Sequence, residues 1–167
     1  MNSILQFDFL VNREKNTISV KKEFAAGRQL VWDCFTKKEL LEQWFAPRPF
    51  TVKTGTMDFS VGGYWLYAMV DPTGPEYWGR ADYLEINPIA YYSARDSFCD
   101  KDGVQNVDLP TAIWKVTFHD RKDNSLVEID ITYDSLQSLD QILKMGMQEG
   151  FTMTLQQLDE LVAKARV

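Results

Sequence analysis

Apolar residues along this chain recur with two periods, 2 and 3.6, and the changes of period divide it into elements. Ile4 to Leu10 and Thr17 to Phe24 read as strands separated by the polar stretch NREKN, and ISVKKEF alternates as a half-buried strand does. A first hairpin is expected there. From Gly27 to Phe45 the period lengthens. Leu30, Val31, Cys34 and Phe35 form one stripe, Leu40, Leu41, Trp44 and Phe45 another, and Thr36-Lys37-Lys38-Glu39 fits a capping box between them. Two short consecutive helices follow, stopped by Pro47 and Pro49.

Strand patterns then return over about Phe50 to Met57, Tyr64 to Val70, Glu76 to Ile86, Ala90 to Phe98, Thr111 to Phe118 and Leu126 to Tyr133. The separators VGG, DPTG, NP, CDKDGVQNVDLP and HDRKDNS have the composition of turns and loops, so the run reads as an antiparallel meander. The last pattern is the longest helix, Leu136 to about Lys164, with Asp134 as the expected N-cap and Gln137 three residues on. Its stripe of Leu136, Leu139, Leu143, Met147, Phe151, Leu155, Leu158 and Val162 has to lie on something. The available partner is the apolar face of the sheet. The expected fold is therefore α+β: a curved antiparallel sheet wrapped around one long C-terminal helix, with two short helices closing one end, in a single domain over residues 1–167.

Within GGYWLYAMV, alternation places Trp65, Tyr67 and Met69 on one face and Tyr64, Leu66, Ala68 and Val70 on the other. Trp114, Val116 and Phe118 share a face in a later strand. Val127, Ile129, Ile131 and Tyr133 do so in the next, with Glu128 and Asp130 turned toward water. The last helix carries Gly146 and Gly150 in KMGMQEGF, each costing about 0.5–1 kcal/mol relative to alanine, which suggests that side-chain volume is being removed opposite the large rings. Two readings stay open. The rings can fill the space the glycines leave, as in ordinary protein interiors, or the space can persist as an apolar cavity with a few polar tips, as in small-molecule sites. Tyr67, Tyr92 and Tyr133 hydroxyls and Trp65 and Trp114 indole N–H groups need partners in either case.

Composition sharpens this picture in one respect: 13% of residues are aromatic. A formal net charge of −6, with no basic cluster beyond Lys21-Lys22 and Lys37-Lys38, argues against nucleic acid and anionic membrane surfaces as partners. Cys34 and Cys99 form no CxxC motif or disulfide framework, no apolar run is long enough to insert into a membrane, and the N-terminus lacks signal-peptide features. A cytoplasmic protein is expected.

Little catalytic chemistry is written in the chain. His119, the sole histidine, falls out of phase with Trp114, Val116 and Phe118, has no nucleophile motif beside it and reads as a surface residue. No metal-ligand spacing occurs, so neither metal nor cofactor is expected. Cys34 reads as a small core side chain and neither cysteine as a redox group. VGGY lacks the lysine and helix of a phosphate loop, and DPTG is a turn. Asp58, Glu76, Asp82, Glu85 and Asp96 lie in or beside strands, and Arg80 and Asp82 share a face with Glu76 and Trp78.

Four blocks in order carry a family resemblance: ISVKKEFAAGRQLVWDCFTKKELLEQWFAP, MDFSVGGYWLYAMVDPTG, LVEIDITYDS and MGMQEGFTMTLQQLDELV. Together they resemble the C-terminal domain of the Hsp90 ATPase activator and its small bacterial homologues. These belong to the helix-grip superfamily that includes the major birch-pollen allergen and the START domains. The family's usual proline before the first helix is Gly27 here, and its common Gly-Trp is Gly150-Phe151. The resemblance implies a cavity between the long helix and the sheet but names no ligand. The activator's separate N-terminal domain has no counterpart in 167 residues, which makes chaperone activation a weak transfer, although a chaperone partner stays compatible with the resemblance.

Three functions follow as expectations. The first is noncatalytic binding of a hydrophobic or aromatic small molecule by Trp65, Tyr67, Met69, Trp78, Tyr92, Trp114, Met147, Gly150 and Phe151. The second is an enzyme on a similar apolar substrate, with Arg80, Asp82 or Glu76 as its polar groups. The third is a protein-interaction or stress-response module using the outward Tyr64, Leu66 and Ala68, for which a homodimer is one form. The loop from Asp100 to Pro110 has the length and polarity of a mobile lid over a cavity mouth.

Overall fold

In a computed structural model that describes residues 4–165, the period-2 segments pair into one curved antiparallel sheet of eight strands. The strands are β1 (Phe7–Asn12), β2 (Thr17–Phe24), β3 (Thr51–Met57), β4 (Tyr64–Val70), β5 (Glu76–Asn87), β6 (Tyr91–Phe98), β7 (Ala112–Arg121) and β8 (Asn124–Tyr133). Their spatial order is β1-β2-β8-β7-β6-β5-β4-β3. The meander from β3 to β8 is therefore continuous, and the first hairpin joins it through β2 and β8. Register makes the inner face apolar: Ile18 opposes Ile131, Val20 opposes Ile129, and Trp114 and Val116 oppose Ile131 and Ile129 from the other side. Ile18, Val20, Ile129 and Ile131 have no exposed surface. Glu128 and Asp130 take the alternate phase and are half-buried on the outer face.

The helix-period segments cover that inner face, giving the helix-grip architecture expected from the pattern. The two short helices are α1 (Arg28–Thr36) and α2 (Lys38–Leu41). Gly27 caps α1 with φ −68°, an angle a proline also adopts, so glycine there leaves the helix start unchanged. The capping box expected at Thr36 does not form. Thr36 ends α1 by donating to the Trp32 carbonyl at 2.9 Å, and the cap of α2 is Lys37, whose side chain makes no capping bond. Trp32, outside the predicted stripe, is buried, and its ring meets Phe118 at 5.1 Å.

The long C-terminal helix is in fact two, α3 (Leu136–Lys144) and α4 (Met147–Ala165). Its N-cap is Ser135, not Asp134: Ser135 Oγ accepts the Ser138 N–H at 3.0 Å. Gly146 makes the joint. With φ +90° it accepts a left-handed conformation that side chains disfavour, its N–H closes α3 on the Leu143 carbonyl, and its own carbonyl opens α4 by accepting from the Gly150 N–H. Leu139 and Ile142 anchor α3, and Leu155, Leu158 and Val162 anchor α4, in the same core as the sheet.

The two glycines thus have different tasks, which corrects the expectation that both remove volume opposite rings. A Cβ at Gly150 would meet Pro47 Cγ at 3.8 Å, an ordinary contact. Gly150→Ala is expected to raise the melting temperature, in line with a helix-propensity gain of about 0.5–1 kcal/mol, and Gly146→Ala to lower it by a strain of about 1–2 kcal/mol. Thermal melts of the two variants falling on the same side of the parent would contradict this assignment.

Two polar side chains lock α4 in place. Gln157, buried on α4, donates through Nε2 to the carbonyls of Trp44 and Ala46 at 3.1 and 2.8 Å, and its Oε1 accepts the Arg48 N–H at 2.9 Å. The irregular segment after α2 is thereby tied to the helix by its backbone. Lys22 takes the core phase of β2 and is 6% exposed, yet its ammonium lies 3.0 Å from Asp159 Oδ1 of α4 and 4.7 Å above the Phe24 ring. A cation at that depth is tolerated because it is paired.

The loop from Asp100 to Pro110 does not cover a cavity mouth. Its Gly103 carbonyl accepts from Arg80 Nη1 at 2.9 Å, and Gly103 approaches Leu66, both on the outer face of the sheet. Leu66 and Ala68 on that face are 7% and 0% exposed. They offer no open surface to a partner. Tyr64 lies 4.2 Å beneath the Arg80 guanidinium. Among the described residues no helix is long and apolar enough to cross a membrane.

Candidate functional site

A two-chambered cavity opens between the inner face of β4–β8, the segment around Phe45 and the start of α4. The inner chamber has a volume of about 50 Å³ and the outer about 260 Å³. The outer chamber alone sits just below the usual range of about 300–1,000 Å³ for small-molecule sites. Five residues line both: Phe45, Tyr67, Asp96, Trp114 and Phe151.

Alternation along the strands explains most of the lining. Trp65 and Tyr67 stack at 4.2 Å, and Phe45 meets them edge-on at 5.3 and 5.7 Å. Trp65 Nε1 donates to Thr54 Oγ1 at 3.1 Å, so its polar edge is satisfied without a guest. Gly79, opposite Tyr67 on β5, makes room for that ring, since a Cβ there would lie 3.0 Å from Tyr67 Cζ and Oη. Across the cavity Trp114 meets Phe151 of α4 perpendicularly at 5.3 Å. Tyr92 lines the inner chamber, while Met69, Met147 and Gly150 line the outer.

Eight of the nine residues expected at the site therefore converge: Trp65, Tyr67, Met69, Tyr92, Trp114, Met147, Gly150 and Phe151. Trp78 does not. In β5 it opposes Ala68 and shares the outer face with Arg80 and Asp82, where its ring lies 5.7 Å from Lys53 Nζ. Gly79 and Ala81 take the inward phase that a ring at 78 cannot reach. The groups considered for an apolar-substrate enzyme are on that outer face too. Arg80 holds Asp82 through two hydrogen bonds, at 3.0 and 2.6 Å, and Glu76 pairs with Lys53 at 3.2 Å. None reaches the cavity. His119, as expected, points outward, with Nε2 3.1 Å from Glu128 Oε1.

The polar group that does reach it is Asp96. YYSARDSF puts Asp96 in phase with Tyr92, Ala94 and Phe98, the one charge on the apolar phase of β6. Tyr67 Oη donates to its Oδ1 at 3.0 Å. Burial pushes the Asp96 carboxyl up to about 7, the Tyr67 bond opposes that rise, and the nearby negative charge of Asp82 adds to it. Burial and then the Asp96 charge hold the Tyr67 hydroxyl well above its ordinary range, so it remains a donor. Phe45, Phe98 and Tyr133 also line the cavity; the sequence pattern placed Phe45 on a helical stripe and Tyr133 on an apolar strand face but put none of the three among the expected site residues.

Cys34 and Cys99 are both free thiols; burial pushes Cys34 up to about 11, and it also raises Cys99 despite neighbouring Arg80. Among the described residues no three His, Cys, Asp or Glu side chains group as a metal site.

The whole architecture recurs in solved structures. A protein from Arthrobacter aurescens, determined by NMR, superposes with a TM-score of 0.89 at 24% identity, covering 94% of this chain and 91% of its own. Protein Ms6760 from Mycobacterium smegmatis gives 0.86 at 27% identity over 95% and 96%. A protein from Staphylococcus epidermidis gives 0.81 at 28% over 93% and 94%. No curated protein matches the sequence. The family described as Activator of Hsp90 ATPase homolog 1-like protein matches residues 25–163, most of the chain, and the protein belongs to that family.

Proposed function

We propose that the protein binds a small apolar, ring-bearing molecule in the cavity between the sheet and α4, without transforming it. The observation that carries this reading is the unfilled outer chamber of about 260 Å³ lined by the rings of Trp114, Phe151, Phe45 and Tyr67. Dense packing is the norm inside proteins, and rings of this size could have closed the gap. Their spacing instead leaves surfaces on which a planar guest can stack. The two unpaired cysteines support placing this activity in the cytoplasm.

The test is a titration with 2-methylnaphthalene followed by NMR. Shifts are expected for the Met69 and Met147 methyl groups and the Trp114 indole N–H, and Gly150→Leu, which narrows the outer chamber, is expected to weaken binding at least about tenfold while the protein stays folded. Saturation without any shift at these groups, or unchanged affinity in Gly150→Leu, would remove the reading.

A further inference from the structure

Building on the binding reading above, we infer that the cavity discriminates guests by charge: it takes an apolar molecule carrying a hydrogen-bond donor, above all a protonated amine, against Asp96, and turns away a carboxylate of the same shape.

Position is the first argument. Asp96 lines both chambers, so a guest reaching from the outer into the inner one passes its carboxyl group. The second is an open valence. Tyr67 occupies Oδ1, whereas Oδ2 has no hydrogen-bond partner among the described residues. An accessible carboxylate oxygen on a residue that lines an apolar cavity is free to accept a donor from a ligand.

The third argument is the sign of everything nearby. Among the described residues, no lysine, arginine or histidine lines either chamber. The ionisable groups that act on Asp96 are Tyr67 from β4 and Asp82 from the outer face of β5, the first a neutral donor and the second an acid. Asp96 in turn acts on Tyr92 of its own strand, on Tyr133 of β8 and on Cys99, none of them cationic. α4 contributes Met147, Gly150, Phe151 and Thr154, all uncharged. Arg80 is committed to Asp82 and the Gly103 carbonyl, and Arg95, adjacent in sequence, is exposed in the opposite phase of β6. An anionic guest would thus be desolvated with no cation to meet it. An ammonium finds a half-buried carboxylate with the rings of Trp114 and Tyr67 lining the same cavity.

The pH dependence follows with a definite sign. In the free protein the Asp96 carboxyl is raised to about 7 by burial, so binding an ammonium requires loss of its proton below that pH. Affinity for an amine should rise with pH up to about 7 and then level off until the amine itself deprotonates.

Calorimetric titration with three guests of one skeleton, 2-methylnaphthalene, naphthalen-2-ylmethanamine and 2-naphthoate, tests this in the parent protein and in Asp96→Asn. At pH 8 the amine is expected to bind at least about tenfold more tightly than the hydrocarbon, and the carboxylate most weakly. The advantage of the amine should shrink about tenfold between pH 8 and pH 6 in the parent, and disappear in Asp96→Asn. Binding of the hydrocarbon with no preference for the amine, or a preference that survives Asp96→Asn, overturns the charge selection and leaves the cavity reading standing. If none of the three binds the parent protein, both fall. The pH series uses the parent chain alone, so it decides the matter even if the variant misfolds.

Discussion

Trp44→Ala is expected to remove about 3–5 kcal/mol of folding stability, the range for emptying a buried tryptophan site. Trp44 is 1% exposed, its ring lies against Phe35 at 4.9 Å and Phe45 at 5.4 Å, and its indole N–H donates to the Cys34 carbonyl at 2.8 Å. Truncation leaves a cavity and, at the end of α1, a carbonyl without its donor. Phe45, which lines both chambers, loses the ring behind it, so guest binding should weaken in the same variant. Trp44→Phe keeps most of the apolar contact and loses the N–H, and should fall between the two, at about 1–3 kcal/mol. Denaturant unfolding measures both. A Trp44→Ala protein within 1 kcal/mol of the parent, to order of magnitude, would mean that the turn after α2 is held mainly by Gln157.

Asp96→Asn should stabilise the protein, and by an amount that depends on pH. The Asp96 carboxyl ionises near 3.8 in an unfolded chain and near 7 in the fold. Between those values the native state holds a proton that the unfolded state has released. Stability contributed by this group is therefore complete below about 4, declines as pH rises through the window and stays low above about 7. Asparagine has nothing to titrate and can still accept from Tyr67. At pH 8 the variant is expected to be more stable by about 2–4 kcal/mol, at about 1.4 kcal/mol for each unit of displacement, reduced for the part of the side chain that remains accessible. Near pH 4 that advantage should vanish. A stability difference that stays constant from pH 4 to pH 8 would show that Asp96 ionises normally in the fold.

Most of the sheet was legible because period 2 is a property of single strands. Trp65, Tyr67 and Met69 read correctly as one face from seven residues, and Arg80 and Asp82 as sharing a face from three, though not which face that is. The same rule, applied to β5, puts Trp78 on the face of Arg80 and Asp82, and pairing with β4 shows that face to be the outer one. The joint at Gly146 was hidden for a different reason. The apolar spacing Leu139, Leu143, Met147, Phe151 runs through it unbroken, since one residue with φ +90° both ends α3 and starts α4. Phe45 read as part of a helical stripe, but α2 ends at Leu41, and the segment that carries Phe45 into the cavity is held at Trp44 and Ala46 by Gln157 from more than 100 residues away. Asp96 was legible by phase, as the charge out of place in β6. Its displaced ionisation was not, because burial and Asp82 arise only when other strands are brought beside it.

The joint between α3 and α4 bears on how such a cavity can change over evolutionary time. Met145, Gly146 and Met147, which line the outer chamber, straddle it. Inside an unbroken helix, one inserted or deleted residue turns everything downstream by about 100°, and the buried stripe no longer faces the sheet. At a non-helical joint the added residue can be absorbed locally, while Leu139 and Ile142 on one side and Leu155, Leu158 and Val162 on the other keep their places in the core. The rim of the cavity is thus separable from the framework that supports it: descendants of this chain can acquire a wider or narrower entrance through a change of length at one point, without having to rebuild the protein around it.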